Sequence, residues 1–358
     1  VPGRKTNAGA PVRAALIVAG GQGTRFWPLS RAHRPKPLFR LNGTNSLLAD
    51  TVERLEPIIG RERIFVIAPT AFKTLFAREL KGLIPASNLL LEPSARGTAV
   101  AVAYGCRLIA ERLGEHLVVV SPADHYVSPA SAFRRTISRA LALAATNPAI
   151  VLIGVVPTRP EVGYGYLEVG DTVGAGFAVR RFVEKPKAAM ARRMVRSGNF
   201  LWNAGIFVMH TETLWSALRQ HCPRLYGAVT KIDAVSKDET ARLFARLRFA
   251  SFDYEILEKS TNLLAVPARF QWHDIGSWDG LWKATSAKNG NSLSGNVLSL
   301  ASNRVLAFGS KRLMVLLGVK DLVAVDTDDA ILIASRSHSE QVRKVVEELR
   351  RRRMTAYL

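Results

Sequence analysis

The chain has 358 residues, 48% hydrophobic and 22% charged, enough for two domains with a substantial core and unlike a disordered or fibrous protein. Its 50 Lys and Arg against 29 Asp and Glu give a formal charge of +21, which favours anionic partners. The cations are scattered apart from Arg350–Arg353 and accompany no nucleic-acid motif, and no apolar run reaches the ~20 residues of a bilayer span, so neither specific nucleic-acid binding nor a membrane span is expected.

Residues 1–13 read as a basic, flexible lead-in without the apolar segment of a secretory signal. Two cysteines, Cys106 and Cys222, build neither a disulfide framework nor a metal knuckle, and a cytoplasmic protein is expected. From Ala14 short apolar runs alternate with amphipathic stretches. AALIVAG precedes SLLADTVERLEPII, whose Leu47, Leu48, Val52, Leu55 and Ile59 recur at helical spacing. RIFVIAP precedes AFKTLFARELKGLI. NLLLEP precedes GTAVAVAYGCRLIAERL, with Val100, Tyr104, Leu108 and Ile109 on one face, and HLVVVSPADHYV precedes SAFRRTISRALALAAT. This alternation predicts an α/β fold with a Rossmann-like, mixed and mostly parallel sheet flanked by helices. Ligands of such sheets bind at the carboxyl ends of the strands, where the glycine loop after Val18, EPSARGT and PADH all fall.

From about Ile150 the runs AIVLIGVVPT, YGYLEVGD, AVRRFVEKP and NAGIFVMH have little helix between them, which predicts a partly antiparallel wall or lid. A helical stretch follows from Glu212 to Leu247, and QWHDIGSWDGLW closes a first domain of residues 14–285. Residues 286–358 then alternate short strands with turns and end in a basic helix, the pattern of a small β-rich domain. Asp326, Asp328 and Asp329 read as a turn between two of those strands, since a calcium loop needs more oxygens at fixed spacing.

The loop AGGQGTRFWPLSRAHRPKPL fails two phosphate templates. As G-x-G-x-x-G its last place holds Phe26, and it lacks the Gly-Lys-Ser/Thr ending of a Walker A loop. What remains is Gly20, Gly21, Gly23, Thr24 and Arg25, then Lys36 between prolines. Glycines let backbone N–H groups approach a phosphate, Arg25 offers a planar fork, and Lys36 offers a point charge.

Gly-Gly-x-Gly-Thr-Arg followed by Pro-Lys resembles the signature of the sugar-1-phosphate nucleotidylyltransferases. The fuller AGGQGTRFWPLSR is similar to their mannose-1-phosphate guanylyltransferase branch. EPSARGTA, SPADHYV, GVVPTRPEVGYGYLEV, FVEKP, LWNAGIFV, FDYEILEKS, WHDIGSWDGLW and GVKDLVAVDTDDAILIA continue the resemblance in order along the chain. It implies a nucleotide-diphospho-sugar transferase fold with a C-terminal β-helix-like module that makes packing or dimer contacts. It also implies transfer of GMP from GTP to α-D-mannose 1-phosphate, with Mg2+ as cofactor. Both reactants are anions, so such a protein neutralises charge and aligns the attack, and needs no nucleophilic side chain.

By the same resemblance Arg25 and Lys36 grip the triphosphate over a floor of Gly20, Gly21, Gly23 and Thr24, and Asp124 and Asp274 hold the metal. Asp124 alone also reads as a cap or turn residue, and Asp274 as ordinary turn composition. His125 and His273 lack a ligand set for zinc and are expected to be structural. Lys185 is implied for the sugar's phosphate and Glu184 for its hydroxyls. Gly165 gives an amide to a hydroxyl between walls of Tyr164 and Tyr166, and Asn203 donates and accepts as a polyol requires. Trp202 and Phe207 read as core. Base contacts fall to Glu92, Gly97 and Thr98, where Glu92 either accepts from guanine or braces the loop. Four residues in three motifs depart from the branch: Gly97 and Val100 where Asn and Pro are usual, Ala204 where Ser is usual, and Pro37 where Gln is usual. They leave nucleotidyl transfer intact but open the choice of base and of sugar, such as a glucose or heptose phosphate; a separate alternative is a catalytically silent nucleotide-sugar sensor, although a sensor has no need of Arg25, Lys36 and both aspartates.

Overall fold

Residues 11–20, 23–31, 34–41, 45–232, 237–248, 250–286 and 290–358 are described by a computed structural model. The chain divides into two compact units, Val1–Gly20 with Val52–Pro122 and Ser128–Phe270, and Gly21–Thr51 with Ala123–Val127 and Gln271–Leu358.

The apolar runs of the first unit become strands β1 (Arg13–Val18), β2 (Ile64–Pro69), β3 (Leu89–Glu92) and β4 (Leu117–Pro122). Helix α1 (Leu47–Ile59) precedes β2, α2 (Lys73–Glu79) precedes β3, α3 (Thr98–Leu113) precedes β4, and α4 (Ala130–Thr146) follows it. A short strand, β5 (Tyr126–Ser128), lies between β4 and α4 in sequence. β6 (Ile150–Val155), β7 (Tyr166–Val173), β8 (Gly176–Val183), β9 (Phe200–His210) and β10 (Leu263–Pro267) complete a sheet of order β3-β2-β1-β4-β9-β6-β10-β8-β7 among the described residues. β1 pairs in parallel with β2 and β4, β2 with β3, and β6 with β10. β9 runs antiparallel to β4, β6 and β7.

The strands beyond Ile150 therefore extend the main sheet and form no separate wall. The reason lies in β9, FLWNAGIFVMH, which is apolar on both faces and is buried along nearly its whole length. Such a strand needs neighbours and cover on both sides. Helix α5 (Ala188–Ser197), which the sequence reading passes over, buries Ala191 and Met194 with Met190 and Val195 partly buried beside them, a helical stripe confined to ten residues. The helical stretch that follows contains α6 (Thr211–His221), α7 (Pro223–Val229) and α8 (Lys237–Arg246), and α9 (Phe252–Glu255) precedes β10. Tyr166 is fully buried with Met194, Phe200 and Trp202 and so is core, as Trp202 and Phe207 are.

In the second unit β11 (Gln271–His273) pairs with β5, and α10 (Trp278–Thr285) follows it. The tail contains β12 (Ser292–Ser294), β13 (Val297–Leu300), β14 (Leu306–Phe308), β15 (Met314–Leu317), β16 (Leu322–Asp326), β17 (Ile331–Ser335) and α11 (Val342–Arg351). β12, β14 and β16 stack in parallel, as do β13 and β15, so successive turns of chain lie rung on rung in a β-helix-like coil. β16 and β17 form an antiparallel hairpin over the three aspartates. Asp326 pairs with Arg312, and Asp329 with Arg31 at 2.8 Å, so these acids serve the fold. In the same unit the opening loop packs through Phe26, whose ring lies 4.9 Å from Trp278 of α10 and which shares a core with Leu306 and Val323 of the coil, and through the Trp27 indole N–H, which donates to the Tyr357 carbonyl at 2.8 Å. Among the described residues no helix is long and apolar enough to cross a membrane.

Leu16 on β1 is fully buried, and Gly105 on α3 leaves room for it: a Cβ at position 105 would lie 2.7 and 2.9 Å from the Leu16 methyls. Gly105→Ala is expected to lower stability by about 1–3 kcal/mol through overpacking. In a Leu16→Ala background the same change should instead raise stability, because the clash is gone and alanine favours the helix. Denaturant midpoints of the four proteins measure that reversal of sign.

Candidate active site

Two sets of polar side chains are built separately, one in each unit. In the second unit Pro35 and Pro37 flank Lys36, whose side chain is 8% exposed. Its ammonium donates to Asp124 Oδ2 at 2.9 Å and to the Asp274 carbonyl at 2.7 Å. Gly23, at φ +59°, makes this possible, because a Cβ there would stand 2.7 Å from the Lys36 Cβ. Burial opposes ionisation of Asp124, but the Lys36 ammonium and His125 outweigh it and hold the carboxyl below its usual range. His125 lies 4.0 Å from Asp124 Oδ1 and is fixed by the Trp272 indole N–H, which donates to Nδ1 at 3.1 Å. His273 packs its ring against Tyr126. His125 thus lies against Asp124, while the ring of His273 lies against Tyr126.

Asp274 and Arg25 flank Gly276: a Cβ at that glycine would lie 3.0 Å from Asp274 Oδ2 and 3.7 Å from Arg25 Nη1. Ile275 between them has φ +45°, a strained conformation for a β-branched residue and a mark of a constrained site. Gly20 follows β1 in the first unit, exposed and with open space where a Cβ would point. Thr24 opens a single 3-10 turn ending at Phe26, and Gly21 lies outside the described residues.

In the first unit Lys185 also has φ +46°, with its backbone N–H donating to the Tyr164 carbonyl at 3.2 Å. Its ammonium pairs with Glu184 Oε1 at 2.8 Å and lies 5.6 Å from the centre of the Tyr254 ring. Gly165 is needed as glycine, since a Cβ would fall 2.6 Å from Glu184 Oε2 and 3.3 Å from the Asn203 Cβ. Gly165, Glu184, Lys185 and Asn203 are thereby brought together. Asp253 joins them, accepting from Asn203 Nδ2 at 3.0 Å, and Glu258 Oε1 accepts from the Glu184 backbone N–H at 3.2 Å. Sequence reasoning overlooks these two acids. Both sit in FDYEILEKS, where acids on a short helix look like a solvated face. Burial, then Asp253, raises the Glu184 carboxyl above its usual range against the pull of Lys185.

The base-contact residues divide. Gly97, at φ +95°, faces the Ala250 carbonyl so closely that a Cβ would sit 2.2 Å from its oxygen, which accounts for the missing Asn. The Thr98 hydroxyl accepts from the Phe252 N–H at 2.9 Å. Ala204 is fully buried, and successive strand residues face opposite ways, so that departure falls away from Asn203. Glu92 ends β3 only 3% exposed, and its Oε2 has no hydrogen-bond partner. Its carboxyl therefore braces nothing through that oxygen, and burial pushes its pKa up to about 7.

Residues 14–290 match the nucleotidyl transferase family, and residues 295–349 match the MannoseP isomerase/GMP-like beta-helix domain. The chain belongs to the nucleotidyl transferase family. It is 34% identical to a mannose-1-phosphate guanylyltransferase of Escherichia coli K12, over 94% of this chain and 73% of that protein. It is 32% identical to a mannose-1-phosphate guanylyltransferase of Sinorhizobium fredii, over 99% and 71%. A crystal structure from Thermus thermophilus, described as a mannose-1-phosphate geranyltransferase, superposes with a TM-score of 0.88 at 34% identity, covering 95% of this chain and 99% of that one. Nucleotidyl transfer in this family is assisted by a divalent metal. Among the described residues no three His, Cys, Asp or Glu side chains converge on a common point. Two carboxylates with hard oxygen donors still fit a cation that keeps its waters and binds phosphate oxygens.

Glu92 supplies a pH test of this nucleotidyl transferase. A folded pKa of about 7, above the ordinary 4.5, means that the protonated carboxyl adds stability fully below pH 4.5 and that this stability is lost as pH rises through 7. Glu92→Gln is expected to match the parent in thermal stability at pH 4.5 and to exceed it at pH 8, by up to about 2–3 kcal/mol. Equal stability at both pH values would contradict the buried, unpaired carboxyl.

Proposed function

We propose that this chain transfers GMP from GTP to α-D-mannose 1-phosphate, yielding GDP-mannose and pyrophosphate. The observation that carries this reading is the Lys36 ammonium seated on Asp124 and on the Asp274 backbone, which joins the glycine loop to the two aspartates of the signature motifs. A phosphate oxygen of the sugar phosphate forms a bond to the α-phosphorus as the bond from that phosphorus to the bridging oxygen of pyrophosphate breaks. Charge accumulates on the leaving group, and Lys36 and Arg25 answer it. Lys185 neutralises the incoming phosphate, while Glu184, Asn203 and the Gly165 amide engage sugar hydroxyls. The unpartnered Glu92 oxygen supports guanine, whose N1–H and amino group are donors an unpaired carboxylate accepts. Asp124 and Asp274 would hold Mg2+, which when bound neutralises phosphate charge.

Pyrophosphate release, measured with magnesium across nucleoside triphosphates and sugar 1-phosphates, tests the reading. GTP with mannose 1-phosphate is expected to give the highest kcat/KM, and no release with any pair would contradict nucleotidyl transfer. Asp124→Ala should lower turnover by about 10²–10³-fold or more while part of the GTP binding survives. Full activity in that variant would remove Asp124 from the metal site.

A further inference from the structure

We propose that Asp253 is the positioning residue of the sugar-phosphate subsite: by accepting from the Asn203 amide it fixes, together with the Gly205 N–H, which end of that amide donates and which accepts. The proposal deepens the reading above and rests on a sugar 1-phosphate being the second substrate. Asn203 is held from three sides. Its backbone N–H donates to the Gly165 carbonyl at 2.8 Å, its Oδ1 accepts from the Gly205 N–H at 3.0 Å, and its Nδ2 donates to Asp253 Oδ1 at 3.0 Å. An ionised carboxylate only accepts, so the NH2 end of Asn203 must face Asp253. One N–H and one lone pair of the amide are left over, a donor and an acceptor for the hydroxyls of a sugar.

Asp253 is itself locked. The Ser251 hydroxyl donates to its Oδ2 at 3.3 Å, and Phe252 stacks on Phe207 with centroids 4.5 Å apart and planes 5° from parallel. The adjoining backbone is tied to Thr98 through the Phe252 N–H. Burial raises Asp253 above the usual carboxylate range and Lys185 opposes the rise. The groups facing it are Lys185, Glu184, Asn203 and Ser251. Glu184 is the other acid on this side of Asn203, since its Oε2 and the Asn203 Cβ both crowd Gly165. An amide turned to Glu184 would consume two hydroxyl-reading groups at once.

Asp253→Asn keeps an acceptor for Asn203 and removes a negative charge near Lys185, whereas Asp253→Ala removes the acceptor. Steady-state kinetics should therefore give Asp253→Ala a KM for sugar 1-phosphate raised about tenfold or more, with the KM for GTP unchanged and kcat reduced far less. Asp253→Asn should restore the sugar-phosphate KM to within about threefold of the parent. Equal losses in the two variants would assign the effect to charge and overturn the proposal, and so would a parallel rise in the KM for GTP. The kinetics use whichever sugar 1-phosphate the parent accepts, so failure with mannose 1-phosphate alone is kept apart from failure of Asp253. A crystal structure of Asp253→Ala reads the same claim without turnover. Asn203 should be rotated toward Glu184, and an unmoved amide would overturn the proposal.

Discussion

A single ammonium group ties together the three pieces of the second unit. That unit is assembled from Gly21–Thr51, Ala123–Val127 and Gln271–Leu358, and Lys36 in the first piece bonds to Asp124 in the second and to the Asp274 carbonyl in the third. With Lys36 and Asp124 largely buried, the attraction is weakly screened, and removing one partner of such a pair typically costs ~3–5 kcal/mol because the other charge is stranded. Much of the local geometry serves this contact. Gly23 clears the space beside Lys36, Pro35 and Pro37 stiffen its backbone, and Trp272 holds the histidine that supports Asp124. The same interaction keeps a carboxylate charged at physiological pH, in the state that a divalent cation requires.

The first unit handles its buried acids in two ways. Glu184 and Asp253 are compensated by Lys185, Asn203 and Ser251, a network that orients as much as it neutralises. Glu92 has an oxygen with no partner at all. An unsatisfied buried carboxyl lowers the stability of the resting protein, and sites that retain such groups often present them to a ligand. Under the proposed roles, the contrast fits a division of labour in which the sugar subsite is preorganised and the base subsite is completed by its nucleotide.

The parallel half of the sheet was legible because β1, β2, β3 and β4 are continuous apolar runs followed by well-patterned helices such as α3 and α4. The antiparallel half was legible as strands but not in its placement. Nothing in the local pattern of β9 says that it lies between β4 and β6, since strand order is decided by long-range pairing. The glycine loop and its lysine were evident from composition, yet the strain at Lys185 and Ile275 was hidden, because neither residue type advertises a positive φ. Asp253 and Glu258 were missed for a related reason: what sets them apart is their contact with Asn203 and with the Glu184 backbone, and such contacts are a tertiary property. The Asn203 amide was singled out for its donor and acceptor chemistry, while its orientation became visible only with its partners in place.

The central claim, that Lys36 holds Asp124 ionised against its burial, is tested most directly by titrating the Asp124 side-chain carboxyl by carbon-13 NMR in the parent and in Lys36→Met. The account predicts that the parent carboxyl titrates below the ordinary carboxylate range and that in the variant, with burial no longer opposed by the ammonium, it titrates above that range. An Asp124 pKa that stays low without the Lys36 ammonium would contradict it.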